Sequence, residues 1–304
     1  MEETYDILTV SEGEGTDFQW ACEKETFQEI LNRLPEGWEP DLVIWLCHYN
    51  PIPEGIEHSP YPTVATVGDW NLLFTSFKDD LKRFDWIVTD KSGVEMLRRG
   101  GFENVDYWPM FAHDVYNHRR MENVERIYDV VMIGNFNHSI QRDRSHWLHR
   151  LAKLKNRFDI HLLCGIYGED YTRLLNQAKI VFNRSIRGEM NMRAYEATAC
   201  GALLFMEEDN LEINDFFKDR VECVLYNEDN LEELIEYYLT HDEERERIAE
   251  AGYQRVQQET QHHHFERLVE LLQERNVLSN PGTKRSFLDL PEPQRLFRQA
   301  RQAF

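Results

Sequence analysis

Short apolar runs alternate with amphipathic stretches along this chain, the pattern of parallel strands joined by crossover helices. In the first half the apolar runs are Tyr5–Val10, Asp41–Cys47, Pro62–Val67, Trp86–Thr89 and Val105–Trp108. Asp41–Cys47 is almost unbroken, which predicts a central strand buried on both faces. Ser11–Asp17 reads as a loop with two glycines, a helical pattern follows to about Leu34, and Ser92–Gly100 reads as a short helix.

A second series begins near Tyr128. Strands are predicted at Asp129–Ile133, Ile160–Cys164, Lys179–Asn183, Ala202–Met206 and Glu222–Tyr226. Helices are predicted at Arg144–Arg157, Tyr171–Ala178, Asn191–Cys200, Asn230–Leu239 and Asp242–Glu259. Gly201 follows one of them as a C-terminal glycine, and Asn230 with Glu233 predicts a capping box. The chain therefore reads as two α/β halves, 1–122 and 123–278, divided in the polar stretch His118–Arg126. Residues 279–304 read as a linker and a terminal helix at Pro293–Phe304.

Composition narrows the class. The chain has 304 residues, 41% hydrophobic, enough for two cores. No run approaches the ~18 apolar residues of a membrane span, and the acidic start does not read as a secretory signal. The five cysteines form no C-x-x-C pair and read as buried thiols, so a reducing cytoplasmic compartment is expected. The net charge is −21, and residues 1–120 hold 23 acidic and 10 basic side chains. Such a surface repels phosphate backbones, so no nucleic-acid partner is expected. The oligomeric state is left open.

Candidate chemistry concentrates in Asn183–Gly201, NRSIRGEMNMRAYEATACG, read as strand, loop and helix. Ligands of open α/β sheets sit beyond the carboxyl ends of the strands. A helix starting there, at Asn191, offers free N–H groups to a phosphate. Arg184, Arg187 and Arg193 add cations whose forks match phosphate oxygens. Glu196 lies on the face of Arg193 and can accept both hydroxyls of a ribose. An ordinary i,i+3 surface ion pair is the competing reading of Arg193 and Glu196.

The stretches Asn191–Phe205, Asn230–Leu239 and Arg247–Val256 resemble the C-terminal half of the spore-maturation (CgeB-type) glycosyltransferase-like proteins, relatives of the retaining GT-B enzymes. The resemblance covers about a third of the chain. It implies an α/β GT-B fold, two Rossmann-like domains with parallel sheets facing across a cleft. It also implies a nucleoside-diphosphate sugar, expected to be a UDP-sugar, bound by the second domain. The chain carries no Asp-x-Asp sequence to gather carboxylates for a metal, so arginines and a helix end are expected in its place, with no further cofactor. Glu196 would hold the ribose and Arg193 the diphosphate. Gly134 and Asn135, ending the first strand of that domain, would lie close to the phosphates. Arg142 is a further phosphate candidate, with a solvated arginine as its competing reading.

One departure stands out. Retaining GT-B enzymes often carry Glu-x7-Glu, yet the position eight residues before Glu196 is Gly188, with Glu189 one residue late. Either Glu189 serves the donor sugar, or backbone amides of Gly188–Asn191 do. A base for the acceptor would come from the first half, where Asp69 and His113 are favoured over Glu12, Asp17 and His48. A retaining enzyme needs no such base, because a phosphate oxygen can accept the proton. A protein or glycan acceptor fits the acidic first half. His262-His263-His264 reads as a solvated helix end, since adjacent helical residues cannot converge on one ion. The competing functions are a noncatalytic nucleotide-sugar or glycan-binding protein and a sugar-nucleotide epimerase. A dinucleotide oxidoreductase is disfavoured, because no G-x-G-x-x-G follows a strand.

Overall fold

The computed structural model describes residues 5–279 except 22–23, 48–49, 71, 73–74, 76–77 and 140–141. His48, Cys22 and the terminal segment Pro293–Phe304 lie outside the described residues. The chain divides into two compact units. One runs to Met110 and resumes at Glu266; the other is Phe111–Phe265.

The first unit opens with two short strands, β1 (Val10–Ser11) and β2 (Phe18–Gln19), paired parallel. Of the predicted strand Tyr5–Val10 only Val10 is extended and paired. Helix α1 (Phe27–Leu31) is closed by a capping box of Thr26 and Glu29. A parallel sheet follows in the order β3 (Val43–Leu46), β4 (Thr63–Val67), β5 (Trp86–Thr89) and β6 (Val105–Tyr107), with α2 (Lys91–Arg99) between the last two. The expectation of a central strand at Asp41–Cys47 is corrected, because β3 pairs only with β4 and lies at the sheet edge. Its apolar run has another cause. Val43 and Trp45 pack against one cluster and Leu42 and Ile44 against another, so each face is partly covered although one edge is unpaired, and Leu46 is exposed.

The second unit carries a five-stranded parallel sheet. Its strands are β7 (Tyr128–Ile133), β8 (Ile160–Leu163), β9 (Ala178–Phe182), β10 (Leu203–Glu207) and β11 (Val224–Tyr226), in the order β11-β10-β9-β7-β8. Its helices are α3 (Arg142–Lys153), α4 (Gly168–Gln177), α5 (Met192–Ala199), α6 (Ile213–Phe216), α7 (Leu231–Thr240) and α8 (Asp242–Val256), and α9 (Gln261–Glu274) begins in this unit and runs on into the first. Alternate residues of the strands feed two cores. Val131, Ile133, Val181 and Leu204 join Ala194 and Tyr195 of α5, while Val130, Met132, Ile180 and Phe205 join Trp147 of α3 and Ile235 of α7. The chain leaves β7 for β8 on one side, then crosses to β9 on the other. The carboxyl ends of β7 and β9 therefore flank the point where the winding reverses, the usual ligand crevice of such sheets.

Several local expectations change. The predicted capping box at Asn230 is absent, because its side chain accepts from the Asn227 N–H at 2.8 Å instead. His264 is buried and bonded to the buried Glu259 at 2.9 Å, so the histidine run is not a wholly solvated helix end. The unit division at Met110 precedes the polar stretch 118–126, because that stretch is tied to the second unit. Arg126 Nη1 donates to the Asn176 carbonyl and the Met121 N–H to Asn176 Oδ1. The chain from Glu266 belongs with the first unit, where Leu268 and Leu272 pack on Val64 and Val88 and Arg275 forks onto Asp106 at 2.6 and 2.9 Å.

Candidate functional site

The site grows from the end of β9. Asn183, the residue after that strand, is wholly buried. Its carbonyl accepts from the Tyr226 hydroxyl at 2.6 Å, which anchors the backbone. Its side-chain Oδ1 accepts from Asn191 Nδ2 at 3.1 Å and from Arg193 Nη1 at 3.0 Å. Its Nδ2 donates to Asn191 Oδ1 at 2.8 Å. Asn191 thus bonds across to Asn183 and leaves the first turn of α5 without a side-chain cap. The amino end of α5 keeps N–H groups and positive dipole for a ligand.

Arg193 lies against the end of β7. A Cβ built on Gly134 would clash with Arg193 Nη2 and stand 3.3 Å from its Cζ, so only a glycine lets the guanidinium approach this closely. A second guanidinium reaches the same place from α3. Arg144 is buried, and it donates from Nη1 to the Asn135 carbonyl at 3.1 Å and from Nη2 to the Arg184 carbonyl at 2.7 Å. Burial, and then the charge of Arg193, lower its pKa to about 10, so it remains a cation at neutral pH. Neither Arg144 nor Arg193 bonds a carboxylate, and the Nε of each is buried without a partner. Glu189 and Glu207 act on Arg144 only through space, so two cations with no carboxylate hydrogen bond meet at the switch point and form a site for an anion.

Two of the other predicted arginines are occupied. Arg184 pairs with Asp209 at 2.7 Å and lies over Trp147 at 5.4 Å. Arg187 has a buried side chain 3.9 Å from Glu189. Arg142 is exposed on the first turn of α3, and Asn135 is exposed with its side chain accepting from the Asn137 N–H at 2.8 Å.

Glu196 and Arg193 do not pair with each other, so the surface ion-pair reading is set aside. Glu196 is 8% exposed. It accepts a hydrogen bond from the Tyr171 hydroxyl, and His118 Nε2 lies 3.5 Å from its other oxygen. Burial and the Glu196 charge push the Tyr171 phenol well above its ordinary pKa, so it stays a donor. His118 is held there by its segment, which is strapped to α4. Thr172 Oγ1 donates to the Asn117 carbonyl at 2.8 Å and Asn176 Nδ2 to the Arg119 carbonyl at 3.0 Å.

The loop between β9 and α5 is bonded to itself. Glu189 is buried and accepts from the N–H groups of Ile186 and Arg187 at 3.3 and 2.7 Å. The Gly188 N–H donates to Ser185 Oγ at 3.0 Å and the Met190 N–H to Glu212 at 2.8 Å. Two amides of Gly188–Asn191 are therefore engaged within the protein. Glu207, at the end of β10, accepts from the Ser185 N–H and Oγ and from Asn210 Nδ2, and burial raises its pKa.

His113 belongs to the second unit, not the first, because its N–H and carbonyl bridge to Glu259 and Gln261. Its ring is 3% exposed and bonds the His118 carbonyl at 2.8 Å, and burial lowers its pKa. Asp69, in the first unit, sits at φ 43° and accepts the Leu72 N–H on its carbonyl. Asp17 bonds the N–H and hydroxyl of Thr9 at 2.7 Å, and Glu12 is exposed on the β1–β2 loop.

Sequence reasoning missed Asn183, Arg144, Tyr171 and His118 as part of the cluster. A signal existed for Arg144, which shares a helix face with Trp147 and Leu151 at i, i+3 and i+7. Nothing in local spacing marks the other three. Among the described residues no three His, Cys, Asp or Glu side chains gather as around a metal ion. No helix of these residues is long and apolar enough to cross a membrane.

A family model described as glycosyl transferase-like matches residues 120–273, just over half of the chain. The chain belongs to this glycosyl transferase-like family. The match spans all five strands of the second sheet and every residue of the cluster described above except Asn117, His118 and Arg119 of the strap. Comparison with curated protein sequences finds no match. Solved structures with the same fold include Anabaena HepE in complex with UDP-glucose, at 13% identity and TM-score 0.51 over 70% of this chain and 72% of that one. A TarM variant from S. aureus in complex with UDP is similar at 10% identity and TM-score 0.54, over 73% of this chain and 52% of that one. Sucrose-phosphate synthase from Thermosynechococcus elongatus is similar at 12% identity and TM-score 0.51, over 73% and 70%. The chain thus spans about half the length of TarM. At these identities the likeness establishes the fold, an α/β GT-B architecture built on parallel sheets.

Proposed function

We propose that this glycosyl transferase-like chain moves a sugar from a nucleoside diphosphate, with a UDP-sugar as donor, to a protein or glycan acceptor. The observation that carries the reading is the meeting of Arg144 and Arg193, neither bonded to a carboxylate, beside the open amino end of α5. The main barrier to glycosyl transfer is charge separation, as the sugar becomes oxocarbenium-like and a diphosphate leaves. Fixed cations and amide dipoles at the leaving group lower that barrier most. In this reading the two guanidiniums and the helix end take the diphosphate without a metal, and Gly134 keeps the backbone of β7 close beneath it. Glu196 accepts the ribose hydroxyls, exchanging the Tyr171 bond for them. A leaving phosphate oxygen accepts the acceptor's proton, which fits a retaining enzyme and asks for no protein base.

A noncatalytic nucleotide-sugar-binding protein is the second reading, favoured by one observation. Glu189, the acid nearest the place where such enzymes hold the donor sugar, is spent on the amides of its own loop.

A thermal-shift panel of nucleoside diphosphates tests the first reading, since a ligand bound only by the folded state stabilises it. UDP should raise the Tm of the native protein, and Arg193→Ala and Glu196→Ala should each abolish that response while remaining folded. Full response in both variants overturns the site. Donor turnover with release of UDP separates enzyme from binding protein.

A further inference from the structure

The opposite edge of the second sheet holds another cationic site. A cavity of ≈ 260 Å³ there is lined by Arg120, Arg126, Lys179, Arg245, Glu246 and Glu250, among others. Arg126 precedes β7, Lys179 lies at the start of β9 and Gly201 precedes β10, so the cavity sits at the amino ends of these parallel strands. The Asn183 and Gly134 cluster lies at their carboxyl ends. The two sites are therefore separate.

The lining charges are not equally available. Lys179 is paired with Asp129 at 2.7 Å and Arg245 with Asp242. Arg126 differs. Its guanidinium donates to the carbonyls of Asn176, Ala178, Cys200 and Gly201 and bonds no carboxylate. Burial, and then the charge of Arg120, lower its pKa to about 10. Arg120 approaches the same spot. Gly201 has φ 74°, and a Cβ there would clash with Arg120 Nε and stand 2.9 Å from Arg126 Nη2. Two like charges are thus brought together over a glycine. The counter-ion of Arg120 is Glu250 at 2.6 Å, with half of the Glu250 side chain exposed. A surface pair of this kind holds with less than about 1 kcal/mol.

We propose that this cavity binds a phosphate-bearing small anion, which displaces Glu250 from Arg120 and lies between Arg120 and Arg126. A phosphate dianion supplies the negative charge that the carbonyl partners of Arg126 do not, and the Arg120 guanidinium, released from Glu250, offers its fork to the oxygens. At about 30 Å³ per water the cavity holds several water volumes, room for more than a bare ion.

Isothermal titration at constant ionic strength, on the full chain carrying Arg193→Ala, tests this apart from the donor site. Inorganic phosphate and a hexose 6-phosphate are the probes. Binding should persist in the Arg193→Ala protein, weaken at least tenfold when Arg120→Ala is added, and tighten severalfold when Glu250→Gln is added. The last effect has the opposite sign to that of losing a merely structural ion pair. A hexose phosphate binding tenfold tighter than inorganic phosphate identifies a sugar ester as the ligand, and equal binding identifies free phosphate. Absence of binding in the Arg193→Ala protein, or indifference to Arg120→Ala, overturns the proposal. If nucleoside diphosphates fail to bind the native chain while these probes bind, the donor reading falls and this one stands.

Discussion

Arg193 Nη1 donates to Asn183 Oδ1 at 3.0 Å, ten residues back in the chain and across the β9–α5 loop. A neutral amide orients the guanidinium without cancelling its charge. Asn183→Asp should therefore damage ligand binding more than Asn183→Ala. The new carboxylate forms an ion pair with Arg193 and competes with an incoming diphosphate. We expect UDP affinity to fall at least tenfold in Asn183→Asp, read by isothermal titration. Equal affinity in the two variants would argue against a diphosphate at Arg193.

Gly134→Ala tests the close approach at the end of β7. The added methyl collides with Arg193 Nη2, and the flexible arginine side chain gives way before the strand does. The expected result is a loss of about tenfold in UDP affinity with little change in Tm. A large drop in Tm instead would show that the strand end, not the arginine, yields.

Tyr171→Phe removes a donor from the buried carboxylate of Glu196. Leaving such a group short of a partner costs about 1–3 kcal/mol of stability. Chemical denaturation should show a loss in that range in the free protein. If ribose hydroxyls replace the phenol, saturating UDP should recover part of it. A deficit unchanged by UDP would place the ribose elsewhere.

Glu207 sets a pH dependence. Burial raises its pKa above the ordinary carboxylate value, against the hydrogen bonds from Ser185 and Asn210. The folded state then binds a proton more tightly than the unfolded chain. Its contribution to stability is full below the unfolded pKa and is lost as pH rises through the folded one. Oε2 of Glu207 is buried without a hydrogen-bond partner, so an amide that mimics the protonated acid avoids a buried charge. Glu207→Gln should raise Tm relative to the native protein at pH 8, and the difference should vanish near pH 4. A variant less stable at both values would mean that the charge itself is used in the fold.

Much of the architecture was legible because burial writes itself into periodicity. The strands β4 to β11 lie within two or three residues of the apolar runs that announced them. Where the reading slipped, the cause is specific. The run Asp41–Cys47 reports apolar neighbours on two faces, and hydrophobic pattern does not register whether a strand's edges are paired, so β3 passed for a central strand. His113 was assigned to the first unit because it follows the apolar run Val105–Trp108. A backbone bridge to Thr260, far along the chain, ties it to the second.

By itself the amino-acid sequence determined the two α/β halves, the helix that follows β9, and Arg193 and Glu196 as candidates on one of its faces. Those are local properties, set by 2- and 3.6-residue repeats and by spacing within a turn or two. Only the tertiary structure decided which charges are free. Arg184 finds Asp209 across 25 positions, Glu196 finds Tyr171 across 25, and Arg144 reaches the Arg184 carbonyl across 40. The order of the strands makes these neighbours, by reversing the winding between β7 and β9 and bringing the loops after both strands to one edge. Whether a guanidinium is spent on a carboxylate or left for a ligand depends on partners that distant, and no local pattern carries that information.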